Sequence, residues 1–216
     1  FNFKGFIEGN NLMNGDVNVI VTDGFIDLKK SPEDAILTAA ALISELGWEP
    51  NQPWIEEVII DDKNFPWKEA GFGRDRKISS WKKLGIISRN KKFMASDNTK
   101  ATLLLPQGLK GPKFLAYSNY NIYLKWNDSF IYTVTAAHLA SRFSGQKKFL
   151  SNKPEKILSL EKMIKLQNIL QSNGYNVGKV DGILGRQTRQ SVRSIQIKLG
   201  LPADSWPTDD LLNILN

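Results

Sequence analysis

The sequence predicts an α+β protein: a mixed helical lobe with a small antiparallel sheet, followed by a C-terminal three-helix module. Three observations carry this. Short β-prone runs cluster at Ala101–Leu105, Lys113–Tyr117 and Asn121–Lys125, separated by Pro106, Gly108, Gly111-Pro112 and Ser118-Asn119. Apolar residues at helical spacing flank that cluster on both sides. The last sixty or so residues carry three such helical stripes and little else.

In chain order, the first thirty residues are rich in Asn and Gly and weakly periodic. Ser31-Pro32-Glu33-Asp34 then announces a helix: Ser31 can cap it, Pro32 suits its first turn, and two carboxylates sit at its positive end. Ile36, Ala39, Ala40, Ile43 and Leu46 give it one apolar face, and Gly47 stops it. Residues 48–100 read mostly as loops, with a strand near Glu57–Ile60 and a short helix near Ser79–Leu84. The sheet runs follow, then a helix from about Ser129 to Phe143 capped by Asn127 or Asp128. The polar, basic stretch from Ser144 through Pro154 reads as a linker. The predicted division is a lobe over 1–145, a linker over 146–156 and a module over 157–216. In the module, the first helix carries Leu160, Met163, Leu166 and Leu170, and the second carries Thr188, Val192, Ile195 and Leu199. The third begins at Thr208, with Asp209 and Asp210 in its first turn, and buries Leu211, Leu212 and Leu215. The lobe has more helix faces than partners for them, so a missing upstream piece is expected.

Composition narrows the function. Cysteine is absent, which excludes disulfides and thiolate metal sites. The net charge of +7 favours polyanionic surroundings, but the basic excess is spread over both parts of the chain and no nucleic-acid motif accompanies it. No run of eighteen apolar residues exists, so no membrane span is expected. Phe1-Asn2-Phe3-Lys4-Gly5 lacks the features of a signal peptide. The sequence opens on phenylalanine rather than methionine, so a processed or truncated product is expected.

The module carries the pattern Leu166-Gln167, Leu170, Gly174-Tyr175, Val177-Gly178, Asp181-Gly182-Ile183, Gly185, Thr188, Val192, Ile195-Gln196 and Gly200-Leu201-Pro202. This resembles the peptidoglycan-binding domain found beside many bacterial wall hydrolases. Read as residues, Gly174, Gly178, Gly182 and Gly185 allow a tight loop between two helices. Asp181 can bond its own turn. Tyr175 offers a flat apolar face with a polar tip to a sugar or peptide, or staples the loop to the core. The residues expected at the module's surface of contact are Tyr175, Val177, Asp181 and Gly182.

The lobe carries Leu103-Leu104-Leu105-Pro106-Gln107-Gly108, Gly111-Pro112, Phe114, Tyr117-Ser118-Asn119-Tyr120, Trp126-Asn127-Asp128-Ser129, Tyr132 and Ala136-Ala137-His138-Leu139-Ala140. Upstream stand Asp23-Gly24-Phe25-Ile26-Asp27-Leu28, Ser31-Pro32-Glu33-Asp34-Ala35, Gly47-Trp48 and Pro53-Trp54. This run is similar to the latter part of the lytic murein transglycosylase catalytic domain, membrane-bound B type, a lysozyme-like fold. The resemblance implies cleavage between MurNAc and GlcNAc without water. One Glu protonates the glycosidic oxygen, then helps close a 1,6-anhydro ring through the C6 hydroxyl. By this resemblance that Glu falls upstream of the matching segment, so no catalytic residue is expected in the chain. Where the family has a Gly-x-x-Gln-(Phe/Leu)-Met-Pro-Ser-Ser run, this chain has Gly9-Asn10-Asn11-Leu12-Met13-Asn14-Gly15-Asp16. Asn11 stands in for the Gln, Asn2 stands near the Ser, and Pro-Ser-Ser is lost. Asn127 and Tyr132 match residues that help hold substrate, and Trp126 can stack on a sugar; a helix cap for Asn127 and core packing for Tyr132 are the competing roles. Val19 and Val21 precede Asp23 where some members ligate calcium, so no metal is expected, and no cofactor.

Other candidates carry less. Glu8 follows an apolar Phe6-Ile7 pair and is the local substitute acid. Asp61-Asp62 point to opposite faces if on a strand, and Asp209-Asp210 is explained by helix capping. His138, the single histidine, sits within a helix. Three readings follow: a wall-binding protein that has lost its acid; a fragment of an active enzyme completed by an upstream stretch or second chain; or a lobe turned to protein interaction, with only the module touching the wall. The degraded Gln-Met-Pro-Ser-Ser run favours the first over the second. The match across Trp126–Tyr132 argues against the third. The expected partner is therefore the glycan strand of peptidoglycan, in the periplasm or cell envelope.

Overall fold

The computed structural model describes residues 32–60, 64–126, 129–150 and 153–216. The chain divides into two compact units, residues 1–48 and 49–216. In the first unit, α1 spans Pro32–Glu45. Its half-buried stripe is Ala39, Ile43 and Leu46, while Ile36, expected on that face, is 69% exposed. The cap expected from Ser31 lies outside the described residues.

The second unit is built on a five-stranded antiparallel sheet: β1 (Ile55–Ile60), β2 (Arg76–Lys77), β3 (Ile86–Ser88), β4 (Lys100–Leu104) and β5 (Lys113–Ala116), in the order β2-β4-β5-β1-β3. Successive side chains on a strand point to opposite faces, and here both faces are covered. Leu103, Leu115 and Val58 pack with Trp81 and Ile78 of α2 (Ile78–Lys83). Leu104, Phe114 and Ile55 pack with Tyr120, Phe130 and Val134. Two-sided burial is why Leu103-Leu104-Leu105 reads as a continuous apolar run.

The run Asn121–Lys125, expected as a third strand, is helical. It lies in α3, Ser118–Trp126. Its aromatic and β-branched residues favour strands in isolation, but tertiary contacts decide. The Asn119 side chain holds the preceding segment: its Nδ2 donates to the carbonyls of Glu49 at 2.8 Å and Gln52 at 3.1 Å, and its Oδ1 accepts from the Glu49 amide at 2.9 Å. With the start so fixed, Tyr120 and Tyr123 fall three apart on one helix side. Tyr120 is buried, and Tyr123 meets the Trp54 ring at 5.0 Å. The next helix, α4, spans Phe130–Phe143 and is capped by Ser129, whose hydroxyl accepts from the Tyr132 amide. Asn127 and Asp128, the caps expected, lie outside the described residues.

The stretch expected as a linker is held against the lobe at its start. Glu57 accepts from the Leu150 amide at 2.9 Å, Arg89 donates to the Lys148 carbonyl at 2.6 Å, and Phe149 packs on Phe114 at 4.5 Å. The C-terminal helices are α5 (Leu160–Ser172), α6 (Arg186–Lys198) and α7 (Asp209–Leu215), capped respectively by Ser159, Gly185 and Thr208. Their core is Met163, Leu166, Leu170, Val192, Ile195 and Leu211 with neighbours. Leu160 and Leu199, expected inside it, are 62% and 39% exposed, because each sits at a helix end beyond the packed stripe.

The module also makes a polar seam with the lobe. Arg189 of α6 donates to the Pro106 carbonyl at 2.9 Å, and Arg193 donates to the carbonyls of Ala70, at 3.1 Å, and Lys68. Asp204 accepts from the Leu109 amide at 3.0 Å. The lobe approaches closely here: a Cβ on Gly108, whose φ is +69°, would stand 2.6 Å from the Trp206 Cβ. That close approach and the positive φ both require glycine.

Candidate functional site

The loop between α5 and α6 is organised by one buried side chain. Gln167 is fully buried on α5. Its Oε1 accepts from the Gly182 amide at 2.8 Å, and its Nε2 donates to the Ile183 carbonyl at 3.1 Å and to Thr188 Oγ1 at 3.2 Å. Thr188 Oγ1 in turn donates to the Val177 carbonyl at 3.0 Å, and Ser191 Oγ donates to the Asn176 carbonyl at 2.6 Å. Buried polar groups satisfied in this way give the loop a single conformation. The apolar helix stripes pass over Gln167, although its place beside Leu166 in the module's motif is visible in the sequence.

The four residues expected at the contact surface divide. Asp181 Oδ1 accepts from the Ile183 amide at 2.9 Å, so the carboxylate closes its own turn. Gly182 has φ +77° and brings its amide to Gln167. Val177 is 4% exposed and packs in the module core. Tyr175 is half-buried against the module core. Ile183, which the sequence does not single out for contact, is 46% exposed on the same loop. Gly185 does not adopt a left-handed conformation; its φ is −76° and it caps α6. The loop thus offers a fixed backbone with Tyr175 and Ile183 as partly exposed apolar groups.

On the lobe, Tyr132 lies half-buried in the first turn of α4, and Trp126 is the last residue of α3. Asn127 and Asn11 lie outside the described residues, as do Asn2, Glu8, Val19, Val21, Asp23, Asp61 and Asp62. Two buried carboxylates are missed by reading the sequence alone. Glu56 accepts from Ser88 Oγ and Tyr117 Oη, both at 2.5 Å, and from the Met94 amide at 3.2 Å. Burial first, and then this bond, push the Tyr117 hydroxyl far above the usual phenol range. Glu57 pairs with Arg89 at 2.5 Å and accepts from the Leu150 amide. Two adjacent acids inside the apolar strand Ile55–Ile60 are the available signal. Three protein donors on Glu56 and two on Glu57 tie β1 to Ser88, Arg89, Met94, Tyr117 and Leu150. His138 stacks on Phe149 with ring centroids 3.8 Å apart. Burial, and secondarily Arg142, lower its pKa from 6.5. Among the described residues, no group of three or more His, Asp and Glu is placed to hold a metal.

This architecture has relatives. Residues 20–141, more than half of the chain, match the model of the transglycosylase SLT domain. The chain belongs to that family. Residues 159–215 match the peptidoglycan binding domain. SltB3 from Pseudomonas aeruginosa, crystallised with NAG-anhNAM-pentapeptide, is 34% identical with a TM-score of 0.73, over 86% of this chain and 50% of SltB3. Its complex with NAG-NAM-pentapeptide gives a TM-score of 0.74 at the same identity, over 87% of this chain and 51% of SltB3. This chain therefore spans about half the length of SltB3. The spore cortex-lytic enzyme of Bacillus cereus is 48% identical over 44 residues, 20% of this chain and 17% of that enzyme. A phosphate acyltransferase of Pelagibacter ubique shares 84% identity over only 25 residues, 12% of this chain and 8% of that protein. A match that short carries no functional argument. Among the described residues, no helix is long and apolar enough to cross a membrane.

Proposed function

We propose that this chain is a peptidoglycan-binding protein of the bacterial cell envelope, which holds glycan strands and does not cleave them by itself. The observation that carries the reading is the rigid loop around Gln167, on a module docked to a transglycosylase lobe through Arg189, Arg193 and Asp204. Support comes from SltB3, which resembles this chain over 86% of the chain and was crystallised in complex with NAG-anhNAM-pentapeptide. In this reading residues 1–145 correspond to the later part of a membrane-bound B type catalytic domain, and 146–156 join them to a wall-binding module at 157–216. The glycan contacts are Trp126, Asn127, Tyr132 and Asn11 on the lobe, and Tyr175 with the Asp181-Gly182 turn on the module. Val177 serves by shaping the loop from within. The setting is the periplasm or the outer envelope.

A second reading makes the chain part of an active transglycosylase, with the proton-donating Glu supplied by an upstream segment or a second chain. The two readings differ in products. Purified sacculi incubated with this chain should yield no 1,6-anhydromuropeptides by mass spectrometry. Their release would overturn the non-cleaving reading and return attention to Glu8.

A further inference from the structure

Between lobe and module lies a cleft of about 340 Å³, at the lower end of the size range of small-ligand sites. Its apolar lining includes Phe72, Phe130, Leu104 and Leu105. Its charged lining is Arg74, Arg189 and Arg193, against the single carboxylate Asp204.

The cations are incompletely satisfied. Arg189 is only 4% exposed, and a guanidinium has five donor protons. Its Nη2 meets one carbonyl, at Pro106, while its buried Nε has no hydrogen-bond partner. The Phe130 and Trp206 rings, 4.9 and 5.5 Å away, compensate part of the charge. Asp204 attracts it through space but makes no ion pair with it: its oxygens accept from the amides of Leu109 and Trp206 and from Gln196 Nε2. Arg193 donates to two backbone carbonyls, and it feels Arg74 as a like charge and Glu69 as an opposite one. Arg74 is exposed, with no ion pair among the described residues. A buried, unpaired cation is costly, and adding two more around one cleft raises that cost. An anion seated there would offset it.

We propose that this cleft binds the terminal carboxylate of a short peptide. Resting on the function proposed above, the peptide is the stem of peptidoglycan. Arginine forks match a planar carboxylate in a bidentate way. The Phe72, Phe130 and leucine walls suit small alkyl side chains next to that carboxylate, which a bare phosphate would leave uncovered. The Ser194 and Ser205 hydroxyls on the rim can serve the peptide amides.

The test is calorimetric titration of the whole chain with diacetyl-Lys-D-Ala-D-Ala, its C-terminal amide and inorganic phosphate. The free acid should bind, the amide about tenfold or more weakly, and Arg74→Gln should lose a similar factor. Arg74 is exposed, so this variant should melt as the parent does; Arg74→Lys should recover part of the binding. No binding of the acid, equal binding of acid and amide, or equally tight binding of phosphate would each overturn the proposal. Sedimentation with sacculi separates it from the function it rests on. A chain that pellets with sacculi but ignores the tripeptide sinks only the cleft. A chain that binds the tripeptide but stays in solution sinks only the wall-binding reading.

Discussion

Arg189 of the module places Nη2 2.9 Å from the Pro106 carbonyl of the lobe, across 83 residues of sequence. Burial lowers its guanidinium pKa from 12.5 to about 10. The folded state therefore holds this proton less tightly than the unfolded chain, and the charge costs stability at every pH below about 10. A well-packed apolar replacement of a buried charge is often stabilising by about 1 kcal/mol or more. Arg189→Met should accordingly raise the melting temperature by about 2–4 °C while abolishing tripeptide binding. A fall of the same size would mean that the bond to Pro106 outweighs the desolvation.

Gly108 and Gly182 both have left-handed backbone, with φ +69° and +77°, but they face different neighbours. A Cβ on Gly182 meets the end of the exposed Leu160 side chain, which can turn away. A Cβ on Gly108 meets the Cβ and Cγ of buried Trp206 at 2.6 and 2.8 Å, which cannot. Gly182→Ala should cost about 1 kcal/mol, from backbone strain. Gly108→Ala should cost roughly 2–4 kcal/mol and make the 146–156 stretch more sensitive to protease. Equal losses in urea unfolding would contradict this view of the seam.

Gln167 bonds four groups of the module at once, the Gly182 amide, the Lys179 and Ile183 carbonyls and Thr188 Oγ1, so its removal strands buried donors and acceptors. Gln167→Ala should destabilise by about 2–4 kcal/mol. The Gly182 amide should also exchange its hydrogen much faster, as read by NMR. Unchanged protection at Gly182 would show that the loop holds its shape without this bond.

His138 gives a pH dependence of definite sign. Burial lowers its pKa below 6.5 in the folded state. The unfolded chain thus binds more protons as the pH falls through about 6.5, so this residue subtracts stability there and levels off below its folded value. Asp204, raised by burial above 3.8, acts with the opposite sign. Between about pH 7.5 and 5, melting of the wild type should fall relative to His138→Phe. Parallel curves would mean that the imidazole titrates normally.

Much of the framework is readable in the sequence, because helix stripes such as Met163-Leu166-Leu170 and the Thr208 cap are local signals. The errors lie where distant residues decide. Ile122 and Tyr123 look like a strand until Asn119 ties the start of their helix to Glu49 and Gln52. Val177 stands in the module's motif beside Tyr175, and only the folded chain shows its side chain packed in the core. Arg189 reads as one more basic residue on a helix; only the folded chain sets it beneath Pro106. Glu56 and Glu57 are legible as an oddity within an apolar strand, but not their partners Tyr117, Ser88 and Arg89, up to 61 residues away.

A chain of net charge +7 will be drawn to an anionic wall by charge alone, and salt separates that attraction from a fitted site. The decisive measurement is sedimentation of the purified chain with sacculi as sodium chloride rises to about 0.5 M, where screening shortens the reach of surface charges to a few ångströms. Recognition by the Gln167-held loop and the lobe predicts that most of the chain still pellets there. Release into the supernatant in step with a basic protein of unrelated fold would contradict it.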